Sequence, residues 1–211
     1  MIDSLDVIIP SFLVLIFSLS FHEAAHAWMA DRLGDPTARL LGRLTLNPLS
    51  HIDWIGTVLF PLLAMVSGLP LIGWAKPVPV SWANLRSPRR DFAVVAIAGP
   101  ISNLILAVGA AAVLVPLLSG GGLGADGSLS RPAVVLLMAV NLNVLLAVFN
   151  MIPVPPLDGG NVLSGIVPES VARGIDTLRP YGFLILYALM FTGVLGRIAY
   201  PVQDMLLRWL L

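Results

Sequence analysis

The run Val7-Ile8-Ile9-Pro10-Ser11-Phe12-Leu13-Val14-Leu15-Ile16-Phe17-Ser18-Leu19-Ser20-Phe21-His22-Glu23-Ala24-Ala25-His26-Ala27-Trp28-Met29-Ala30 decides how this chain is to be read. A helix of about 20 apolar residues crosses a bilayer, and this run is long enough. In lipid every backbone polar group has to be satisfied within the segment, so the run is expected to be helical. Ionisable side chains inside a membrane are costly and usually functional. Here His22, Glu23 and His26 fall within five residues of one another.

On a helix, residues four apart project from one face, one turn apart. His22 and His26 are so spaced, and two imidazole nitrogens in that arrangement suit a tetrahedral zinc. Glu23 sits about 100° round the helix, close enough to reach a water on the metal without being a ligand. Zinc draws the pKa of such a water towards about 7, and a carboxylate beside it can take the proton as the water attacks a carbonyl. The chain has only three histidines, and its glutamates are Glu23 and Glu169, so chance rarely produces this spacing. The rival reading is a histidine pair packed in a polar helix interface, which the cost of intramembrane charge disfavours.

Composition agrees with lipid as the solvent. Of 211 residues, 57% are hydrophobic and 11% charged, with a mean hydropathy of +0.91; soluble domains carry roughly 25% charged residues. The formal net charge is zero and no basic tract is present, so a nucleic-acid partner is not expected. Cysteine is absent, which excludes disulfides and thiolate ligands. The start, Met1 to Asp6, is acidic and lacks a small-residue cleavage pattern, so it reads as leading into a retained span and not as a signal peptide.

Further apolar runs follow. Residues 54–74 are interrupted by Pro61, Gly68, Pro70 and Gly73; a third run covers about 92–118 and gives way to a Gly-rich connector at 119–130. A fourth, about 132–152, ends in Pro153-Val154-Pro155-Pro156-Leu157-Asp158-Gly159-Gly160. A fifth covers about 181–195, and the tail 197–211 is expected to extend it past a kink at Pro201 or to lie along the interface. The chain is therefore expected to be an all-α polytopic membrane protein of about five apolar helical elements. Residues 1–211 are expected to form one membrane domain, with a core of about 7–168 and a C-terminal helix or helices over 181–211.

A catalytic zinc takes three protein ligands and keeps one position open. The candidates for the third are Asp158, His51 and Asp53. Asp158 lies where Pro153, Pro155 and Pro156 forbid regular helix and Gly159-Gly160 permits an irregular turn. Irregular backbone at membrane depth is tolerated where it is buried in protein or lines a wet cavity. His51 reads as an interfacial loop histidine, with a supporting role near the metal as the sharper alternative. Gly99 and Asn103, four apart, share a helical face where a glycine admits another backbone and an asparagine can bond to it. Asn150 is placed to steady an unwound backbone or a substrate carbonyl.

With Asp158 taken as the third ligand, a topological requirement follows. His22, His26 and Asp158 can meet at one depth only if 54–74 makes no net crossing. That segment is therefore expected to be re-entrant. Arg32, Arg39, Arg43, Lys76, Arg86, Arg89, Arg90, Arg173 and Arg179 then share the cytoplasmic side, and Arg131 lies opposite.

Three ordered stretches carry a resemblance: His22-Glu23-Ala24-Ala25-His26, Ala98-Gly99-Pro100-Ile101-Ser102-Asn103, and Asn150-Met151-Ile152-Pro153-Val154-Pro155-Pro156-Leu157-Asp158-Gly159-Gly160. Over roughly Phe21 to Pro168 the chain resembles the site-2 protease family, intramembrane zinc proteases that cut transmembrane segments of membrane-anchored regulators. Gly42-Arg43-Leu44-Thr45-Leu46-Asn47-Pro48 and Gly73-Trp74-Ala75-Lys76-Pro77-Val78-Pro79-Val80 are similar to its short prokaryotic branch, without PDZ or CBS modules. The resemblance implies one zinc ion held by His22, His26 and Asp158, and Glu23 as general base. It also implies a membrane-protein substrate, a prokaryotic cell membrane and an active site towards the cytoplasm. The rival functions are a metal transporter or metal-binding membrane protein, and an inactive protease-like scaffold. The other intramembrane polar groups are mostly Asn and Ser, which do not line an ion path, and the intact Glu23 speaks against the scaffold.

Overall fold

The first apolar run folds as α1 (Ser4–Arg32), which carries His22, Glu23 and His26 in its last three turns. The computed structural model describes residues 4–67, 75–123 and 127–211, and among these the secondary structure is helical, with one isolated β-bridge between Leu123 and Leu129. After α1 the chain turns through α2 (Thr37–Leu40) and a short 3-10 turn at Pro48–Ser50. Asp53 then caps a π-wound turn, Trp54–Leu59, by accepting from the N–H groups of Ile55 and Gly56, and α3 (Phe60–Ser67) continues it.

The expectation of a re-entrant 54–74 falls in part on residues 68–74, which lie outside the described residues. The segment's two flanks nevertheless meet: the Lys76 N–H donates to the His51 carbonyl at 2.9 Å. Flanks that share a backbone hydrogen bond lie side by side, which supports the expectation that 54–74 makes no net crossing. Trp54, Ile55, Leu59, Leu62, Leu63 and Val66 are exposed on its surface, which suits contact with lipid.

Extended backbone over 75–81 leads to α4 (Pro88–Ser119), which has proline in its first turn, where no intrahelical N–H is needed. Next comes α5 (Arg131–Asn150). Ala107, Ala111 and Leu114 of α4 pack on Ala133, Val140 and Val144 of α5 in one buried cluster. Between apolar helices in lipid, small residues allow the close approach that dispersion needs. α1, α4 and α5 are each long and apolar enough to cross a membrane.

The C-terminal third departs from expectation. It holds α6 (Asp158–Ile166), α7 (Glu169–Leu178), α8 (Gly182–Phe191) and α9 (Val194–Leu210). α6 and α7 fall where no apolar run marks a helix. Of the two expectations for the tail, the kink at Pro201 is replaced by a break at Gly193, which adopts φ +73°, while Pro201 is absorbed inside α9. A left-handed residue ends a helix outright and glycine adopts it without a steric cost, whereas a proline removes one hydrogen bond. The helices on either side of this break are bent by 76°, so the expected fourth full span exists only if the bent pair counts as one span. Arg89 ties this region back by donating to the Ser164 and Val167 carbonyls at the end of α6. Gly165 lies so close to α4 that a Cβ there would fall 2.3 Å from the Ala93 Cβ.

The flank contact gives a topological prediction, and the natural chain supplies a cysteine-free background. Single cysteines replacing Ser50 and Ala83 should react with a membrane-impermeant reagent from one side, and a cysteine replacing Ser128 from the other. Labelling of 50 and 83 from opposite sides would show that 54–74 crosses.

Candidate metal centre

Each imidazole is held by its Nδ1. His22 Nδ1 lies 2.6 Å from the Asn103 Oδ1 on α4, and His26 Nδ1 lies 2.7 Å from the Val95 carbonyl on the same helix. Both partners are acceptors, so each Nδ1 carries the proton and each Nε2 keeps a lone pair. The two Nε2 atoms turn towards the Asp158 carboxylate, whose Oδ2 is 3.0 Å from that of His22 and 3.4 Å from that of His26. Two donors about 2.0–2.1 Å from a tetrahedral zinc stand about 3.3 Å apart. The separations and the N, N, O donor set therefore fit such an ion.

Glycines make the convergence sterically possible. A Cβ built on Gly99 would lie 2.5 Å from the Nε2 of both His22 and His26, so α4 reaches the site only because this position has no side chain. Asp158 opens α6, and Gly159 and Gly160 press against the backbone of Met151 to Pro155, with virtual Cβ contacts of 2.3 Å and 2.7 Å at their closest. These glycines serve close packing of a regular first turn. They do not form the irregular turn expected from the sequence.

Glu23 is buried, and its carboxylate lies with the two imidazoles in a group whose donor atoms all fall within 4.8 Å of one another. One of its oxygens, Oε2, accepts the Val78 N–H at 2.9 Å. Val78 sits between Pro77 and Pro79 in the extended strap over 75–81, which is pinned at both ends. At one end Arg43 donates to the Lys76 carbonyl at 2.6 Å, beside the Lys76–His51 bond. At the other, the Ser81 N–H donates to Asp35 at 2.7 Å, and the Asn84 amide donates to the same carboxylate at 2.9 Å. Burial alone would raise the Asp35 carboxyl, but hydrogen bonds from Thr37, Asn84 and Ser81 hold it below its usual range. Its contribution is thus complete above the ordinary carboxylate pKa and fades only as the pH falls through the lowered value.

The remaining sequence candidates separate cleanly. Asn103 joins the site through a side-chain contact with His22, and its Nδ2 also reaches the Ser18 carbonyl of α1 at 3.4 Å, the kind of backbone contact expected of it. His51 lies in the loop as expected and is only 2% exposed there; its Nε2 pairs with the Thr45 carbonyl at 2.8 Å. Its role is to shape the loop that anchors the strap. Asp53 is spent on its helix cap. The Asn150 side chain donates to the Leu146 carbonyl of its own helix at 2.9 Å. Sequence reading missed Val95, Val78, Arg43 and Asp35. Only Val78 had a signal, since two flanking prolines force extended backbone.

Gly99→Ala tests the packing. The added methyl has to displace both imidazoles or the helix, and over-packing of this kind typically costs about 1–3 kcal/mol. The variant should unfold at lower temperature and bind zinc more weakly in a chelator competition. Unchanged zinc affinity would show that α4 does not press on the histidines.

Comparison with known proteins gives the family. The model of peptidase family M50 matches residues 125–192, a stretch that includes Asp158. The chain is 36% identical over 199 residues to "Putative zinc metalloprotease YwhC" of Bacillus subtilis, covering 91% of this chain and 84% of that protein. It is 31% identical over 188 residues to "Putative zinc metalloprotease Rip2" of Mycolicibacterium smegmatis, covering 86% of this chain and 66% of that one. No solved structure matches the chain. With likeness extending over most of both YwhC and this chain, and with the HEAAH and LDGG stretches meeting in space, the chain belongs to peptidase family M50, the site-2 protease family.

Proposed function

We propose that this protein is an intramembrane zinc metalloprotease that hydrolyses peptide bonds in or near transmembrane segments of membrane-anchored proteins. The observation that carries the reading is the meeting of His22 Nε2, His26 Nε2 and Asp158 Oδ2 at 3.0–3.4 Å, beside the Glu23 carboxylate, in the last turns of a membrane helix. His22, His26 and Asp158 would hold one zinc ion. When bound, zinc supplies a Lewis acid that acidifies water and polarises a carbonyl.

Glu23 acts as general base. Its Oε2 is engaged by the Val78 N–H, which fixes the plane of the carboxylate. The other oxygen, Oε1, receives the proton of the attacking water and returns it to the leaving amine. The paired imidazoles are held by acceptors at Nδ1, which raises the basicity of Nε2 and prevents the rings from turning away. Arg32 at the end of α1, and Arg89 and Arg90 at the start of α4, lie on the same side as the site, which supports a cytoplasmic-facing active centre. A substrate helix would have to unwind locally to present a carbonyl there, because a helical carbonyl is already hydrogen-bonded.

Two experiments test these roles with the purified full chain in detergent. Glu23→Gln should abolish cleavage of a membrane-anchored substrate yet leave zinc bound, whereas His22→Ala, His26→Ala and Asp158→Asn should each lower zinc affinity by at least about 10–100-fold. Loss of zinc from Glu23→Gln would place Glu23 among the ligands and overturn its role as base. His51→Ala, by contrast, should retain stoichiometric zinc while lowering thermal stability, since it removes a buried ring from the loop. Zinc loss in that variant, with Asp158→Asn still fully loaded, would make His51 the third ligand.

A further inference from the structure

Asn143, on α5, touches no part of the site directly. Its side chain is 2% exposed and does two things. The Nδ2 donates to the Ala139 carbonyl, one turn back, at 2.9 Å. A carbonyl can only accept, so the backbone of α5 sets which way this amide faces. Its Oδ1 is thereby turned towards α4, where it accepts the Asn103 Nδ2 at 2.9 Å.

Asn103 is wholly buried, and the same Nδ2 also reaches the Ser18 carbonyl of α1 at 3.4 Å. With its NH₂ group committed to two acceptors, Asn103 has only its Oδ1 to offer His22, at 2.6 Å from Nδ1. An acceptor at that distance selects the tautomer protonated on Nδ1, which leaves the lone pair on Nε2. His26 needs no such help, because its Nδ1 faces a backbone carbonyl, which cannot reverse polarity. The His22 contact is different: an amide can flip, and a flipped Asn103 would donate to Nδ1 and put the proton on Nε2.

We propose that Asn143 is a positioning residue for the metal centre, fixing through Asn103 the tautomer in which His22 presents its Nε2 lone pair. The relay crosses three helices, from the Ala139 carbonyl on α5 through Asn103 on α4 to His22 on α1. The proposal rests on the reading of His22 as a zinc ligand.

The test compares Asn143→Leu with Asn143→Asp in the purified full chain. Leucine is close in volume but accepts no hydrogen bond, so Asn103 loses the shorter of its two Nδ2 contacts and only the 3.4 Å contact with the Ser18 carbonyl resists a flip. Aspartate keeps an oxygen facing Asn103 whether or not it is protonated. Zinc affinity is read by chelator competition, and site geometry by the visible ligand-field bands of the cobalt-loaded protein, with thermal unfolding as a control. Asn143→Leu should bind zinc about 10–100-fold more weakly with altered cobalt bands, and Asn143→Asp should stay within about threefold of the natural protein on both readouts. Should the leucine variant fail to accumulate, Asn143→Ser carries the same test, because its hydroxyl bonds back to α5 and falls short of Asn103. Natural affinity in the leucine or serine variant, or equal weakening in the aspartate variant, would overturn the relay. Failure of the natural chain itself to bind zinc would instead overturn the metal reading on which it rests.

Discussion

A polar group buried in an apolar membrane domain has no water to fall back on, and the structure is organised around that constraint at His22, Glu23 and His26. Each of their heteroatoms with a described contact points at a partner supplied by another part of the chain. α4 offers Asn103 and the Val95 carbonyl to the two Nδ1 atoms, α6 offers Asp158 to the two Nε2 atoms, and the strap offers the Val78 N–H to Glu23. An unpaired buried polar group costs about 1–3 kcal/mol even in soluble proteins. The convergence of α4, α6 and the strap on α1 is therefore tied to folding as closely as to chemistry.

Such convergence demands that backbones come closer than ordinary side chains allow. Gly99 faces the imidazoles, Gly165 brings α6 against α4, and Gly159 with Gly160 seats the first turn of α6 on the proline-rich stretch before it. Within lipid the hydrophobic effect does not drive helix on helix, so close contact and polar pairing have to supply the attraction. The same small residues that admit the site thus also hold the helices together. The alanines of α4 that pack on α5 continue this surface away from the metal centre.

The strap shows how a segment without regular structure can be made rigid. Pro77 and Pro79 restrict its backbone, Arg43 and the His51 carbonyl hold one end, and Asp35 holds the other. Between these anchors Val78 reaches the Glu23 carboxylate beside the two imidazoles. In the function proposed above, an oriented carboxylate loses less freedom on reaching the transition state, which is where preorganised groups gain their effect. The segment before the strap matters for the same reason, since the bond between its flanks at His51 and Lys76 seats the start of the strap against the loop after α2.

The helical class, the three long spans and the histidine pair were legible from residue order, because hydropathy and the helical period are local properties of the chain; Asp158 stood there as one of three candidates for a third ligand, with His51 and Asp53. The expectation that 54–74 makes no net crossing also came from residue order, as what a shared depth for His22, His26 and Asp158 would require. The break at Gly193 was not, since a glycine among apolar residues looks the same whether or not its φ turns positive; nor were the short helices α6 and α7, which carry no membrane-length apolar run. Asp35, Arg43, Val95 and Asn143 could not be found at all. Their importance lies in which backbone group or amide they face across two or three helices, and that facing is decided by how the helices pack. Residue order chose the chemical groups, and only tertiary packing determined which atom of each group points at its neighbour.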